Sequence, residues 1–157
     1  MPCEYDKTIT DYTLTIMFDP KDAEAYFNRG IAYGMKGDYN KAISDHTIVI
    51  ELNPIDGEAY CNRGFAYAMK GAHEKAISDY NNAIKLNPKD AKAYYNRGVS
   101  YGRKGEQEKA ISDFTEAIRL NPNYAKAYYN RGVIYYEEGE QEKADADFGK
   151  AQELGLE

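Results

Sequence analysis

Four asparagines stand 34 residues apart, at Asn28, Asn62, Asn96 and Asn130. Asn inside a helix costs about half a kcal/mol relative to Ala, so its recurrence asks for a chemical reason. Its amide carries donors and an acceptor together, which is the complement of an extended peptide backbone. The plainer reading is that these amides bond within their own scaffold. The same period carries Arg29, Arg63, Arg97 and Arg131, and Asp45, Asp79, Asp113 and Asp147, with Asp11 one period earlier. An Arg on a core-facing stripe must be paired if buried, so these sets predict ion pairs. A row of exposed Arg for phosphate is the alternative, and the net charge of −6 disfavours it. The spacing leaves open whether each Arg meets the Asp of its own repeat or of the preceding one.

Other chemistry is sparse. His46 and His73 share no helical face with a Cys or Ser, so no nucleophile–base pair is expected. There is no P-loop, no G-x-G-x-x-G and no metal-ligand spacing. We therefore expect no enzyme, no metal and no cofactor. Cys3 and Cys61 fall in different repeats and read as reduced thiols rather than a disulfide framework. An acidic chain lacks the basic stripe that nucleic acid requires. No apolar run reaches a membrane-spanning length, and the start lacks a basic head followed by an apolar stretch. The expected compartment is cytoplasmic.

The elements that position these residues follow from the period. Pro20, Pro54, Pro88 and Pro122 recur with it, as do Tyr26, Tyr60, Tyr94 and Tyr128, and Gly30, Gly64, Gly98 and Gly132. A fixed period of this length marks stacked units, each unable to bury its apolar face alone. In residues 91–124, Tyr94, Arg97, Gly98 and Tyr101 follow i, i+3, i+4, i+7, a helical stripe. Gly105 stops that helix. Ala110, Phe114 and Ala117 share the face of a second helix, with Ile111 and Ile118 beside them, and Asn121-Pro122 ends it. Gly98 is expected to face Ala110 so that the pair packs closely, with Tyr94 and Tyr101 filling the space between repeats. The expected architecture is a single all-α domain over 1–157. A cap helix occupies 1–22, and helix–turn–helix repeats occupy 23–56, 57–90, 91–124 and 125–157, nine helices in total. Thr8, Thr15, Asp145 and Gln152 put polar side chains where further neighbours would pack, so both end faces read as caps.

This pattern resembles the tetratricopeptide repeat family over essentially the whole chain. The family signature, W-x2-L-G-x2-Y, then A-x3-F, then P, is met in the second repeat by Tyr60, Gly64, Tyr67, Ala76, Tyr80 and Pro88. Tyr replaces the signature Trp throughout, the four Arg replace its Leu, and His46 replaces an aromatic. His46 is thus expected to be a packed, hydrogen-bonded imidazole. The resemblance implies a right-handed superhelical solenoid whose first helices line a concave groove.

On that footing Lys92, Tyr95, Asn96 and Val99, another i, i+3, i+4, i+7 set, face the groove. The equivalent rows are Phe27, Cys61, Tyr95 and Tyr129, then Asn28, Asn62, Asn96 and Asn130, then Ile31, Phe65, Val99 and Val133. Met35 and Met69 add adaptable apolar contact. Glu24 and Glu58 give way to Lys92, Arg103 and Lys126 along the chain. The expected function is a protein–protein interaction module that holds an extended peptide or partner protein, with an acidic group of the partner over repeats three and four. The two-carboxylate clamp of chaperone-binding family members is incomplete, because Phe27, Ile31 and Asn96 stand at three of its places. The alternative is a structural scaffold that self-associates through end helices or its convex surface. An arm cut from a larger enzyme is a weaker third reading.

Overall fold

The computed structural model describes the backbone of residues 2–156 and the side chains of residues 4–156. Cys3 lies outside the described side chains. Among the described residues there are nine α-helices and no strand. They group into two compact units, Met1–Leu86 and Asn87–Glu157. The first holds α1 (Pro2–Phe18), α2 (Ala23–Lys36), α3 (Tyr39–Leu52), α4 (Gly57–Met69) and α5 (His73–Leu86). The second holds α6 (Ala91–Arg103), α7 (Gln107–Leu120), α8 (Ala125–Glu137) and α9 (Gln141–Glu153). Within each unit every helix packs on the next, and first helices of successive repeats also meet, α2 with α4 and α6 with α8.

Local chemistry sets the helix ends. Asp22, Asp56 and Asp90 precede α2, α4 and α6, and each carboxylate accepts a backbone N–H of the first turn. Such caps satisfy donors that have no partner inside the helix. The fourth repeat breaks this rule, with Tyr124 at the capping place and no side-chain cap. The turns within the pairs place Gly37, Gly71, Gly105 and Gly139 at φ of 76–84°, a left-handed conformation that only Gly adopts freely.

Each pair closes on small residues and one ring. Ala110, Phe114 and Ala117 are buried on α7, as expected. Gly98 does not face Ala110. A Cβ at Gly98 would lie 2.9 Å from Cε1 of Phe114, whereas Ala110 lies opposite Gly102. Gly30, Gly64 and Gly132 meet His46, Tyr80 and Phe148 in the same way. The glycine therefore makes room for a ring, and a methyl group there would clash with it.

The Arg/Asp sets form ion pairs within each repeat. Arg29–Asp45, Arg63–Asp79, Arg97–Asp113 and Arg131–Asp147 are two-point pairs with N–O distances of 2.7–2.8 Å. The Asp side chains are at most 8% exposed and the Arg side chains 16–18%. The carboxylate's hydrogen bond is the main cause that holds each guanidinium above its usual pKa. Arg29, Arg63 and Arg131 also donate to Thr13, Thr47 and Thr115 on the preceding second helix. One guanidinium thus ties three helices. Tyr26 and Tyr33 flank Arg29, Tyr94 and Tyr101 flank Arg97, and Tyr128 and Tyr135 flank Arg131, with ring centroids 5.4–5.9 Å away. The recurring tyrosines sandwich the cation, an arrangement stabilised by the ring quadrupole. Asp11, at the equivalent place on α1, stays exposed.

Candidate functional site

The Asn places are half-buried in every repeat. Asn28 Nδ2 donates to the Glu24 carbonyl of its own helix at 3.0 Å. Asn130 Nδ2 donates to the Tyr95 hydroxyl of the preceding repeat at 3.1 Å. Asn62 and Asn96 make no side-chain hydrogen bond with any described residue. Amide groups therefore reach the surface of both units, two with internal partners and two without.

The apolar rows differ between units. In the first unit Ile31, Met35, Phe65 and Met69 are exposed, Met35 at 67% and Met69 at 52%. They sit at i and i+4 on α2 and α4, so they share one face of adjacent first helices. Cys61 is buried, with 7% exposure, and offers the surface little. Phe27 is half-buried and meets the His46 ring edge-on at 5.6 Å. In the second unit Val99 and Tyr95 lean into the core of Ala110, Phe114 and Ile134. Val133 is half-buried and Tyr129 remains 48% exposed.

Charge divides the units as well. Glu24 and Glu58 are exposed on the first unit, and Lys92, Arg103 and Lys126 on the second. None of these five side chains forms an ion pair with a described residue. Elsewhere exposed charges pair locally, as Arg119 does with Glu116 and Lys150 with Glu153.

A cleft of about 240 Å3 in the first unit is lined by Ala23, Glu24, Phe27, Val49, Asp56 and Glu58. The residues two repeats later are Ala91, Lys92, Tyr95, Ala117, Tyr124 and Lys126. There the Tyr124 ring lies against Tyr95, with centroids 4.8 Å apart. Burial, then the nearby Tyr95 and Asp90, push the Tyr124 hydroxyl up to about 12. The slot that is open and acidic in one unit holds an aromatic pair in the other, where lysines stand at the places of the two glutamates. The sequence reading missed Val49, Asp56 and Tyr124 as members of this slot. Its available signal was the break from Asp22, Asp56 and Asp90 to Tyr124. A second cleft, of about 460 Å3, is lined by Tyr129, Phe148, Ala151, Gln152, Gly155 and Leu156.

His46 is 2% exposed, and its Nδ1 has no hydrogen-bond partner. The imidazole is packed as expected, but that nitrogen is not hydrogen-bonded as expected. Burial lowers its pKa to about 4.

The repeated helix pairs are reflected in comparisons with known proteins. Tetratricopeptide repeat models match residues 23–56 and 91–124, and residues 114–146, and a TPR repeat model matches 69–105. A crystal structure of MamA superposes with a TM-score of 0.90 at 32% identity, covering 96% of this chain and 88% of that one.

The chain belongs to the tetratricopeptide repeat (TPR) family.

The TPR domain of Arabidopsis OM64 aligns at 27% identity with a TM-score of 0.72, covering 73% of this chain and 95% of that domain. YrrB, described as a TPR protein with an unusual peptide-binding site, shares the fold at 24% identity. Its TM-score is 0.80, with 97% of this chain and 78% of that one covered. A search of curated proteins found no match. The TPR matches bring no catalytic family with them. Among the described residues no group of His, Cys, Asp and Glu is placed to hold a metal, and no helix is long and apolar enough to cross a membrane.

Proposed function

We propose that this chain is a protein-interaction module whose first-of-pair helices hold an extended peptide. It works by recognition without catalysis, in the cytoplasm. The observation that carries this reading is the set of groups without internal partners on those helices. Asn62 lies on the helix that carries exposed Phe65 and Met69, and Asn96 on the helix that carries Lys92 and Arg103. An amide pairs with the backbone of any peptide, and the neighbouring side chains choose the sequence. Phe65, Ile31, Met35 and Met69 favour apolar side chains on the first unit. Lys92, Arg103 and Lys126 favour an acidic group on the second. The repeat boundaries at 22/23, 56/57, 90/91 and 124/125 mark the spacing at which such contacts would recur.

A peptide array probed with the purified chain tests this. Selected peptides should lose affinity about tenfold with Asn96→Ala, the cost of a hydrogen bond to a desolvated ligand. Equal binding after Asn96→Ala and Lys92→Ala together would defeat the reading. Self-association is the second reading, favoured by Leu14, Met17 and Phe18 of α1, which are 49%, 73% and 90% exposed at i, i+3 and i+4. A concentration-independent monomer mass in solution would remove it.

A further inference from the structure

We propose that the cleft between α2 and α4 in the first unit is a pocket for an arginine side chain of the bound partner. The inference rests on the peptide-holding reading above and specifies one position of the peptide.

Three features converge there. The first is size: about 240 Å3 is below the range of sites that engulf whole small ligands and suits one side chain. The second is chemistry. Phe27 and Val49 supply an apolar wall, and Glu24, Asp56 and Glu58 bring three carboxylates to it. Neither Glu24 nor Glu58 has an ion-pair partner among the described residues. Asp56 spends Oδ1 on the Ala59 N–H at 2.9 Å as a helix cap. Carboxylates gathered beside a ring and left unneutralised match a cation with a flat face. Guanidinium meets both demands, stacking on an aromatic face while its fork reaches carboxylates.

The third feature is the protein's own use of the same slot. Two repeats later Tyr124 replaces Asp56, its ring lies against Tyr95, and Lys92 and Lys126 replace Glu24 and Glu58. A planar group laid at a tilt against the first-helix aromatic is therefore what this slot accepts. In the second unit the chain supplies that group itself, with Asp90 nearby and with lysines at the two places that hold glutamates in the first unit. In the first unit Asp56 stands in place of that ring, and the cleft is lined by carboxylates. An external planar cation matches that lining.

The test uses the full chain labelled with 15N and two neutralised-end probes, N-acetyl-arginine methylamide and its uncharged isostere N-acetyl-citrulline methylamide. The arginine probe should shift the amides of Glu24, Phe27, Gly57 and Glu58 while leaving Lys92, Tyr95 and Lys126 unmoved. Citrulline should bind at least tenfold more weakly. Glu24→Gln with Glu58→Gln should weaken the arginine probe at least tenfold. Asp56→Tyr, which copies the second unit, should abolish its binding. Equal response to citrulline would overturn the proposal, as would arginine shifts spread over all acidic surfaces or binding that survives the double Gln variant. The array separates the two readings. Peptides that contact Asn96 and Lys92 with no preference for arginine keep the peptide reading and defeat the pocket. Arginine selectivity at the pocket with no array peptide bound anywhere keeps the pocket and defeats the peptide reading.

Discussion

The two units share one helix pair repeated, one Arg–Asp clamp per pair and one glycine-to-ring contact per pair, yet they present different surfaces. The first exposes Ile31, Met35, Phe65 and Met69 beside Glu24 and Glu58. The second turns Tyr95 and Val99 inward and exposes Lys92, Arg103 and Lys126. The difference teaches which positions of the repeat hold the fold and which are free. The clamp's Arg and Asp and the glycine that faces the ring are the same in every repeat. Places one helical row away vary in size and reverse in sign, because solvated side chains contribute little to stability.

The clamp should be the costliest place to strike, and equally so in both units. Arg63→Leu and Arg131→Leu each leave a buried Asp without its partner, which should cost about 3 kcal/mol in urea unfolding. Replacing Asp79 along with Arg63 by apolar residues should cost less than Arg63→Leu alone. Clamp losses that differ widely between units would break the view that the units share one scaffold.

His46 distinguishes the units by pH. It stands where the second unit has Phe114, and both rings face a glycine. Folded, His46 stays neutral down to about pH 4, whereas its ordinary pKa is 6.5. Between those values the unfolded chain binds the extra proton, so stability is full above pH 6.5 and falls as pH drops towards 4. The loss attributable to this group approaches about 3 kcal/mol. Asp45 and Asp56 moderate it and Arg63 reinforces it. His46→Phe should flatten the acid limb of a stability-versus-pH curve measured by urea unfolding between pH 7 and 4. An unchanged limb would show that His46 protonates without cost.

Smaller effects are expected at the slot. Tyr124→Asp removes a ring pair worth about 1 kcal/mol and restores a helix cap of about the same worth. The two should nearly cancel in thermal or urea melts. A loss well above 2 kcal/mol would mean that Tyr124 belongs to the core rather than filling a slot that stands open in the first unit. Lys92→Gln with Lys126→Gln should change affinity for acidic peptides by about 1 kcal/mol or less per residue and flatten its salt dependence. These substitutions should leave stability untouched, which sharpens the division between scaffold and surface.

Much of this was legible along the chain. Recurrence of Pro, Gly, Tyr and Arg at 34 residues determined the helix pairs, their boundaries and their kind, since period and helix-stop chemistry act locally. The first helices of the pairs begin at Ala23, Gly57, Ala91 and Ala125. The existence of Arg–Asp pairs was also legible, because a cation on a buried stripe needs a counter-charge. Only the tertiary structure decided which Asp each Arg takes, that Gly98 faces Phe114, and that the tyrosines sandwich the guanidinium. Those outcomes depend on the rotation and separation of packed helices, to which a one-dimensional spacing is blind. The slot belongs to the same class. Glu24 of α2, with Asp56 and Glu58 at the start of α4, line one cleft with Phe27 of α2 and Val49 of α3, and Tyr124 lies against Tyr95 at the equivalent place. Convergence of side chains from separate helices on one ring is a property that packing alone creates.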